Sequence, residues 1–262
     1  MIRSLWTSAS GMQAQQTNID VIANNLANVS TTGFKKSRAD FQDMIYQTIK
    51  EAGAASTADA QTAVGIQIGH GTGPSSVSKS FTQGELQNTK RDLDMAIEGI
   101  GFFQITAQGG QTSYSRNGAF HVDGDGRLVT SEGFVMDPEI SIPTDATSIT
   151  IGLDGTVSVL QTGQTEPAEV GTITLVRFPN PAGLKSMGRN LYQETRASGA
   201  PITGTAGEDG MGVVAQGYLE GSNVSVVDEM VKMIAAQRAY ETNSKTIRTA
   251  DEMLQMANQL KR

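Results

Sequence analysis

Two segments of the chain, one near each end, carry apolar residues at a spacing of seven. The residues near the N-terminus are Leu5, Met12, Ile19 and Leu26, and those near the C-terminus are Val226, Met233, Tyr240, Ile247 and Leu254. A seven-residue repeat places side chains on one face of an α-helix and is typical of helices that supercoil around one another. The pattern therefore predicts a helix over residues 1–29, a second helix over residues 225–260, and a coiled-coil-like seam between them.

The C-terminal helix is predicted to be long and unbroken, because the chain after Ser222 contains neither proline nor glycine. At ~1.5 Å per residue, about 36 residues span roughly 54 Å, which is more than an ordinary domain conceals. Alanine follows three positions after most of the seam residues, at Ala236, Ala250 and Ala257. Such small side chains let a second helix approach closely, so we expect another helix to cover this face.

The remaining face of the N-terminal helix is nearly uncharged, since only Arg3 and Asp20 carry charge there. A helix that faces water normally carries more lysine and glutamate on its outer side. Two interpretations stay open. In the first, the two helices form a terminal coiled coil packed on a domain of their own chain, and in the second their weakly charged faces meet other copies of the protein.

The middle of the chain, from about residue 75 to 214, changes to a period of two, which is typical of β-strands. Alternating apolar residues on both sides of Asp154-Gly155 predict a hairpin with a type I′ turn. The run Asp123-Gly124-Asp125-Gly126 predicts a second hairpin turn, and residues 170–178 form a further strand candidate that ends before Pro179. This part of the chain is therefore predicted to be β-rich, with many short strands and tight turns.

These patterns together predict an α+β fold, in which two long terminal helices form a coiled-coil-like pair and a β-rich domain is inserted between them. We expect a helical domain from residues 1–30 and 225–262, a connecting segment over 31–74, and a β-rich outer domain over 75–224. Within the connecting segment, Phe41, Ile45 and Ile49 lie four residues apart in an amphipathic stretch. Residues 51–63 have almost no large apolar side chain and are predicted to be a mobile or partner-ordered loop.

Composition and charge restrict the possible partners. The net charge of −7 arises in the middle of the chain, because residues 1–30 are neutral and residues 224–262 carry a charge of +1. No basic patch with interleaved aromatic residues is present, so we expect no nucleic-acid partner. No apolar run reaches 18 residues, which argues against membrane insertion. The chain lacks cysteine and the pattern of a cleavable signal, so an exported protein would leave by a route without signal cleavage.

The motifs that carry enzyme or cofactor chemistry are poor. Arg127 occupies the third ligand position of a calcium loop that would begin at Asp123, so a hairpin turn explains this run better than a metal site. Gly99-Ile100-Gly101 lacks the third glycine of a dinucleotide site and precedes a strand-like run. His70 and His121 are the only histidines, and no nucleophile-elbow spacing accompanies them. We therefore expect no enzyme activity, no cofactor and no metal.

Four segments resemble the signatures of one known family, the bacterial flagellar rod and hook proteins. They are NNLANVSTTGFK at residues 24–35, GIGFF at 99–103, YSRNGAF at 114–120, and GSNV at 221–224 with MIAAQRAYE at 233–241. The resemblance covers nearly the whole chain and its motifs are specific. Within the family, the length and the order of segments resemble the distal rod most, since hook proteins usually carry an additional outer domain.

The resemblance implies a structural subunit whose terminal helices form the inner tube of a helical filament, with the β domain facing outward. The seam residues are then self-assembly residues. The stretch from residue 46 to 72 resembles the extra segment that stiffens the distal rod, and it contains Tyr46, Ile49, Val64, Ile66 and Ile68. The implied partners are further copies of the chain, the proximal rod and hook proteins, the surrounding basal-body rings and the flagellar export apparatus. The implied location is the periplasm-spanning rod of the basal body.

Two alternatives remain beside the distal rod. A hook or proximal rod subunit belongs to the same class, and it would be favoured if deletion of residues 46–66 left assembly and stiffness unchanged. A soluble binding or hydrolytic β domain with a coiled-coil oligomerisation handle belongs to a different class. A small uniform oligomer with activity on a wall polysaccharide would favour it.

Overall fold

The computed structural model describes the chain except for residues 1, 54, 58, 59, 62, 108, 165 and 260–262, and except for the side chains of residues 2, 55–57, 60 and 61. Two compact units make up the chain. The first comprises residues 1–26, 37–78 and 225–262, and the second comprises residues 27–36 and 79–224. Both units are therefore assembled from segments that are distant in sequence.

Both predicted helices are present in the first unit. Helix α1 covers Ile2–Ala27 and helix α2 covers Val226–Gln259. Ser225 caps the start of α2, because its carbonyl accepts a hydrogen bond from the Glu229 N–H and its Oγ accepts one from the Asp228 N–H at 3.4 Å. The predicted last residue of this helix, Leu260, lies outside the described residues. The α+β prediction, with a helix at each end and strands between them, is confirmed.

Six strands complete the first unit: β1 Ser37–Asp43, β2 Tyr46–Lys50, β3 Ala55–Thr57, β4 Ala60–Gln61, β5 Ile66–Gly69 and β6 Thr72–Lys79. They pair as β1 with β6, β2 with β5 and β3 with β4. The four-residue spacing of Phe41, Ile45 and Ile49 therefore falls on strands and a turn and has no helical counterpart. The expected loop over residues 51–63 is also wrong for its described residues, because β3 and β4 pair at the tip of a long hairpin that β2 and β5 form.

The second unit consists of short strands, as the period of two predicted. In chain order they are β7 Leu86–Asn88, β8 Met95–Glu98, β9 Phe102–Ala107, β10 Gln111–Ser115, β11 Phe120–Val122, β12 Leu128–Thr130, β13 Val135–Asp137, β14 Ala146–Ile151, β15 Thr156–Gln161, β16 Ala168–Thr172, β17 Thr174–Arg177, β18 Lys185–Gly188, β19 Leu191–Gln193, β20 Ile202–Thr205, β21 Val213–Gln216 and β22 Tyr218–Glu220. A 3₁₀ turn over Pro181–Gly183 lies before β18.

The largest sheet of the second unit has nine strands. Seven of them run in the order β11-β12-β13-β9-β10-β19-β18, and β17 joins β9 to β20. A separate three-stranded sheet has the order β14-β15-β16, and two-stranded pairs join β21 to β8 and β22 to β7. The pair of β7 with β22 brings the two ends of this unit side by side, since Leu86 lies opposite Glu220.

Strand β9 separates two apolar clusters, because successive side chains of a strand point to opposite faces. Phe103 belongs to a cluster with Phe120, Met136 and Leu175. Its neighbour Phe102 belongs to a second cluster that is mainly aromatic, in which the rings of Phe81, Phe178 and Tyr192 meet it edge to face. Both faces of β9 are therefore buried, and the motif at residues 99–103 lies at the centre of this unit.

The two predicted hairpins are present, but the type I′ turn predicted at Asp154-Gly155 is wrong. Strand β14 pairs with β15 across Asp154-Gly155, and β11 pairs with β12 across the run from Asp123 to Gly126. A type I′ turn needs positive φ at both central residues, whereas here only Gly155 (+85°) and Gly126 (+85°) have it. In each loop the N–H of this glycine donates to the carbonyl three residues earlier, so the turn is type I followed by one left-handed glycine.

The single strand expected over residues 170–178 is wrong, because two strands occupy it. Strand β16 pairs with β15 in the three-stranded sheet, whereas β17 pairs with β9 and β20 in the nine-stranded sheet. Ile173 lies between them and is buried in the first apolar cluster. An apolar run that passes from one sheet to another looks continuous in sequence, and this explains the error.

Candidate assembly surface

Helices α1 and α2 form an antiparallel pair with a constant register. The Asn25 Nδ2 donates to the Glu229 Oε2 at 3.1 Å, and Gly11 lies so close to Asn243 that a β-carbon would stand 2.9 Å from its Nδ2. Ser4 of α1 lines a cavity with residues 242–253 of α2, including Ala250. In the pairs Asn25–Glu229 and Gly11–Asn243 the two residue numbers add up to 254. The two helices therefore run side by side in opposite directions from residue 4 to residue 25 of α1.

Most of the buried residues on the two helices are small or polar. Over the part of the helices that the structure describes, the buried residues are Ser8, Ala14, Ile22, Asn25, Glu229, Ala236 and Ala250. Ala236 and Ala250 are the positions at which the sequence predicted a close helix approach, whereas Ala257 is exposed. The buried polar pair Asn25–Glu229 was missed, because neither residue belongs to an apolar stripe. Lys232 balances its charge, since the Lys232 Nζ lies 2.7 Å from the Glu229 Oε1.

The nine predicted seam residues are not fully covered within one chain. Leu5, Met12, Ile19, Leu26, Met233, Ile247 and Leu254 are half-buried, and Val226 and Tyr240 are exposed. They border the small buried residues and leave part of their apolar surface in water. Their role in packing between subunits stays a prediction.

The predicted stiffening segment is a hairpin with uncovered apolar side chains. Tyr46, Ile49, Val64, Ile66 and Ile68 are all exposed, and Ile45, which precedes β2, is 83% exposed. Every residue of β2 is exposed, so no described residue covers either face of this strand. A two-stranded ribbon of this kind is marginally stable alone, which is typical of a segment that a neighbour supports.

A second apolar stripe on α2 does not belong to the seven-residue repeat of the seam and was not predicted. Val227, Met230, Val231 and Ile234 lie three or four residues apart and are all exposed. Their spacing places them on one face of the helix. The signal was present in the run Val226 to Ile234, whose apolar residues are too many for a single seam. The start of α2 therefore carries apolar side chains both on the face toward α1 and on an exposed face.

The second unit contains a buried cluster of three charged residues, which we call the ion cluster: Lys35, Arg116 and Glu220. The Lys35 Nζ lies 2.6 Å from the Glu220 Oε1, and the Arg116 Nη1 lies 3.5 Å from the Glu220 Oε2. Lys35 and Glu220 are completely buried. Burial lowers the pKa of Lys35 below its usual value, while the carboxylate of Glu220 acts in the opposite direction.

Backbone groups complete the ion cluster. The Lys35 Nζ donates to the Thr82 carbonyl, and Arg116 donates to the carbonyls of Ile97 and Gly99. The Gly84 N–H donates to the Glu220 Oε1 at 2.8 Å. Lys35 belongs to the N-terminal signature segment, Arg116 belongs to a central one, and Glu220 directly precedes the C-terminal one. The ion cluster was not predicted, because its members are distant in sequence.

Two glycines in the signature segments are explained by close backbone approach around the ion cluster. A β-carbon on Gly33 would stand 2.8 Å from the backbone of Arg116, and Gly33 has a φ of +69° that side chains rarely adopt. A β-carbon on Gly118 would stand 1.6 Å from the Met95 carbonyl. Both signatures therefore require glycine for packing within this unit.

Asp123, which was considered as a calcium ligand, has structural partners. Asp123 accepts hydrogen bonds from the backbone N–H of Asp125 and Arg127, and Arg127 also donates to it from its side chain. This carboxylate therefore holds the hairpin turn together, as expected. Among the residues that the structure describes, no cluster of three metal-binding side chains is found. Neither helix, over its described length, combines the length and the apolar character that crossing a membrane requires.

Three family profiles match the chain. The profile described as flagella basal body rod protein matches residues 5–35, and the flagellar hook protein FlgE/F/G D1 domain matches residues 96–159. The flagellar basal body rod FlgEFG protein C-terminal profile matches residues 215–260. These matches include both helices and the centre of the second unit.

Similar proteins match over their full length. The flagellar basal-body rod protein FlgG of Borreliella burgdorferi is 52% identical over 264 residues, which cover all of both chains. FlgG of Buchnera aphidicola from Acyrthosiphon pisum is 52% identical over 99% of this chain and all of its own. The flagellar basal-body rod protein FlgF of Caulobacter vibrioides is 34% identical over 98% of this chain and 97% of its own. The chain therefore belongs to the family of flagellar basal-body rod and hook proteins, and within it to the FlgG group.

Proposed function

We propose that the chain is a structural subunit of the flagellar distal rod, which self-assembles into a stiff hollow helical tube and transmits torque from the motor to the hook across the periplasm. The observation that supports this most is the uneven distribution of exposed apolar side chains. Among the described residues, 18 large apolar side chains of the first unit are exposed, against six of the larger second unit. Apolar surface of this extent marks an interaction site.

The first unit is the self-assembly element in this proposal. The seam residues Leu5, Met12, Ile19, Leu26, Val226, Met233, Tyr240, Ile247 and Leu254 complete their burial against neighbouring subunits. The proposal also includes the predicted division of the chain into a helical domain (residues 1–30 and 225–262), a connecting segment (31–74) and a β-rich outer domain (75–224). The open, repeated contact between identical subunits is heterologous, so it generates a filament.

The role of the chain is mechanical and not catalytic. Its proposed partners are further copies of itself, the proximal rod and hook proteins at the two ends, and the ring proteins around the rod. The flagellar export apparatus delivers it without signal cleavage. No cofactor takes part, and the apolar contacts between subunits carry the load.

The hairpin over residues 46–69 is proposed to wedge between neighbours and limit bending. Deletion of residues 46–66 should then leave tubes that form but curve, because α1 and α2 stay intact. Electron microscopy of the deletion variant measures the curvature. Straight tubes from this variant would instead favour the hook or proximal rod alternative.

Electron microscopy of the concentrated purified protein tests the proposed function. Straight hollow tubes are expected for the full chain. Variants that lack residues 1–30 or residues 225–262 should form none, while the circular dichroism of their β-strands persists. A small uniform oligomer at every concentration would contradict the proposal.

A further inference from the structure

A groove on the first unit surrounds the single tryptophan of the chain. Its volume is about 410 Å³, and its lining comprises Trp6, Ala9, Ser10, Gln13, Met44, His70, Thr72, Gly73 and Pro74. Trp6 is 70% exposed, although tryptophan is among the side chains that contribute most when buried at an interface. None of the described residues in the lining is Asp, Glu, Lys or Arg. The groove is therefore suited to an apolar occupant, because burial of a charge there would find no opposite charge.

The exposed stripe of α2 consists of Val227, Met230, Val231 and Ile234. It is apolar and uncharged, so it matches the uncharged lining of the groove. The stripe covers about two helical turns, so at ~1.5 Å per residue it is roughly 11 Å long. Apolar side chains at this spacing are the usual anchors of a helix that lies in a groove. Groove and stripe belong to the same chain, so every copy of the protein supplies one of each.

The groove and the stripe lie on opposite outer faces of the helix pair. On α1, Trp6, Ala9 and Gln13 lie roughly 150° around the helix from the buried face of Ser8 and Ile22, at about 100° per residue. On α2, the stripe lies roughly 160° from the buried face of Glu229 and Ala236, counted in the same way. One chain therefore cannot place its own stripe in its own groove, but successive copies can.

We propose that the groove around Trp6 binds the α2 stripe of a neighbouring copy of this chain. This inference rests on the proposed function and names the partner surface for part of it. Such a contact joins two different surfaces of identical subunits, so it repeats without closing into a dimer. It places Trp6 between the α1 helix of its own chain and the first turns of α2 in the next chain.

The register of the helix pair fixes the displacement between the two copies. Because the numbers of opposite residues add up to 254, Trp6 lies level with Arg248 of its own chain. The centre of the stripe lies about 17 residues closer to the start of α2, which is roughly 26 Å along the helix. Copies joined by this contact are therefore displaced by about 26 Å along the helix pair.

Fluorescence of Trp6 tests the contact directly, because the chain contains only one tryptophan. When tubes form, its emission should shift to shorter wavelengths, and quenching by acrylamide should fall severalfold. Val231→Asp places a charge in the stripe and should abolish the shift. Leu153→Asp is the matched control, since Leu153 is a 66% exposed apolar residue of the second unit, and it should leave the shift unchanged.

A cysteine pair tests the identity of the occupant, because the natural chain has no cysteine. Ala9→Cys combined with Val227→Cys should give a ladder of disulfide-linked oligomers when tubes are oxidised. Within one chain these residues lie about 27 Å apart along the helices, far beyond the reach of a disulfide. Ala9→Cys with Lys245→Cys, on the same outer face of α2, is the control and should give no ladder.

The outcomes separate this inference from the proposed function. A shift of the Trp6 emission together with the specific ladder supports the contact. Tubes in which Trp6 stays open to acrylamide, or in which both cysteine pairs behave alike, overturn the contact and leave the proposed function intact. A shift without a ladder also overturns it, because another segment or another protein then occupies the groove. Failure of the natural chain to form tubes overturns both.

Discussion

Lys35, Arg116 and Glu220 are buried together, and both cations depend on the single carboxylate of Glu220. Two positive charges and one negative charge are buried, so the arrangement relies on backbone carbonyls for the rest of its stabilisation. Lys35 and Glu220 are separated by 185 residues along the chain. Lys35 belongs to the N-terminal family signature and Glu220 directly precedes the C-terminal one, but no local pattern indicates that a lysine next to Phe34 is buried. Pairing over such a distance cannot be predicted from spacing.

Glu220→Gln should lower the free energy of unfolding by about 3–5 kcal/mol, because two buried cations lose their counter-charge. Urea unfolding of the full chain measures this. Glu132→Gln is the matched control, since Glu132 pairs with Arg189 at 3.3 Å on the surface and such pairs contribute about 1 kcal/mol or less. Equal losses for the two variants would show that the ion cluster contributes no more than a surface pair.

Tyr192 should make the free energy of unfolding decrease at alkaline pH. Burial raises the pKa of its phenol from 10.0 to about 12, because the phenolate loses its hydration. Below pH 10 both states hold the proton, and the contribution is complete. Between pH 10 and 12 only the folded state keeps it, so stability falls as pH rises, by about 2–3 kcal/mol over the window.

Urea unfolding at several pH values across this window, compared between the natural chain and Tyr192→Phe, measures the contribution. The variant has no phenol to ionise at this position, so its stability should fall less steeply. Tyr114 remains in both proteins and also has a raised pKa through burial, so the comparison cancels its share. Identical slopes would contradict the assignment.

At the scale of elements, the two helices and their small contact residues were predictable, whereas several strands were not. The seven-residue spacing located α1 and α2 to within two residues at the ends that the structure describes. Strands β16 and β17 were merged, because an apolar run does not reveal a change of sheet at Ile173. The hairpin of β2 and β5 was also missed. Every residue of β2 is exposed, so its sequence does not alternate between apolar residues on a buried face and polar residues on an exposed face.

Ala236→Leu should loosen the helix pair, because Ala236 is buried on α2 and leaves little room for a larger side chain. Overpacking of this kind costs about 1–3 kcal/mol, so amide exchange along α2 in assembled tubes should become roughly tenfold faster. Ala235→Leu is the control, since Ala235 is exposed and leucine is also a good helix former. Equal exchange in both variants would show that helix contact at Ala236 is not tight.

At the scale of the whole molecule, the two units differ in how far they cover their own apolar side chains. The second unit encloses two apolar clusters, and Met95, Phe103 and Leu175 are among its completely buried residues. The seam residues of the first unit remain half-buried or exposed. The sequence revealed the seam but not its incomplete coverage, because a periodic stripe does not show whether its cover belongs to the same chain.

Amide hydrogen exchange in dilute monomer and in assembled tubes tests the central claim most directly, namely that α1 and α2 belong to a shared assembly. Residues 2–27 and 226–259 should exchange rapidly in the monomer, since a lone pair buries only one face of each helix. The same residues should become strongly protected in tubes, while the second unit stays protected in both samples. Full protection of both helices in the dilute monomer would contradict the account.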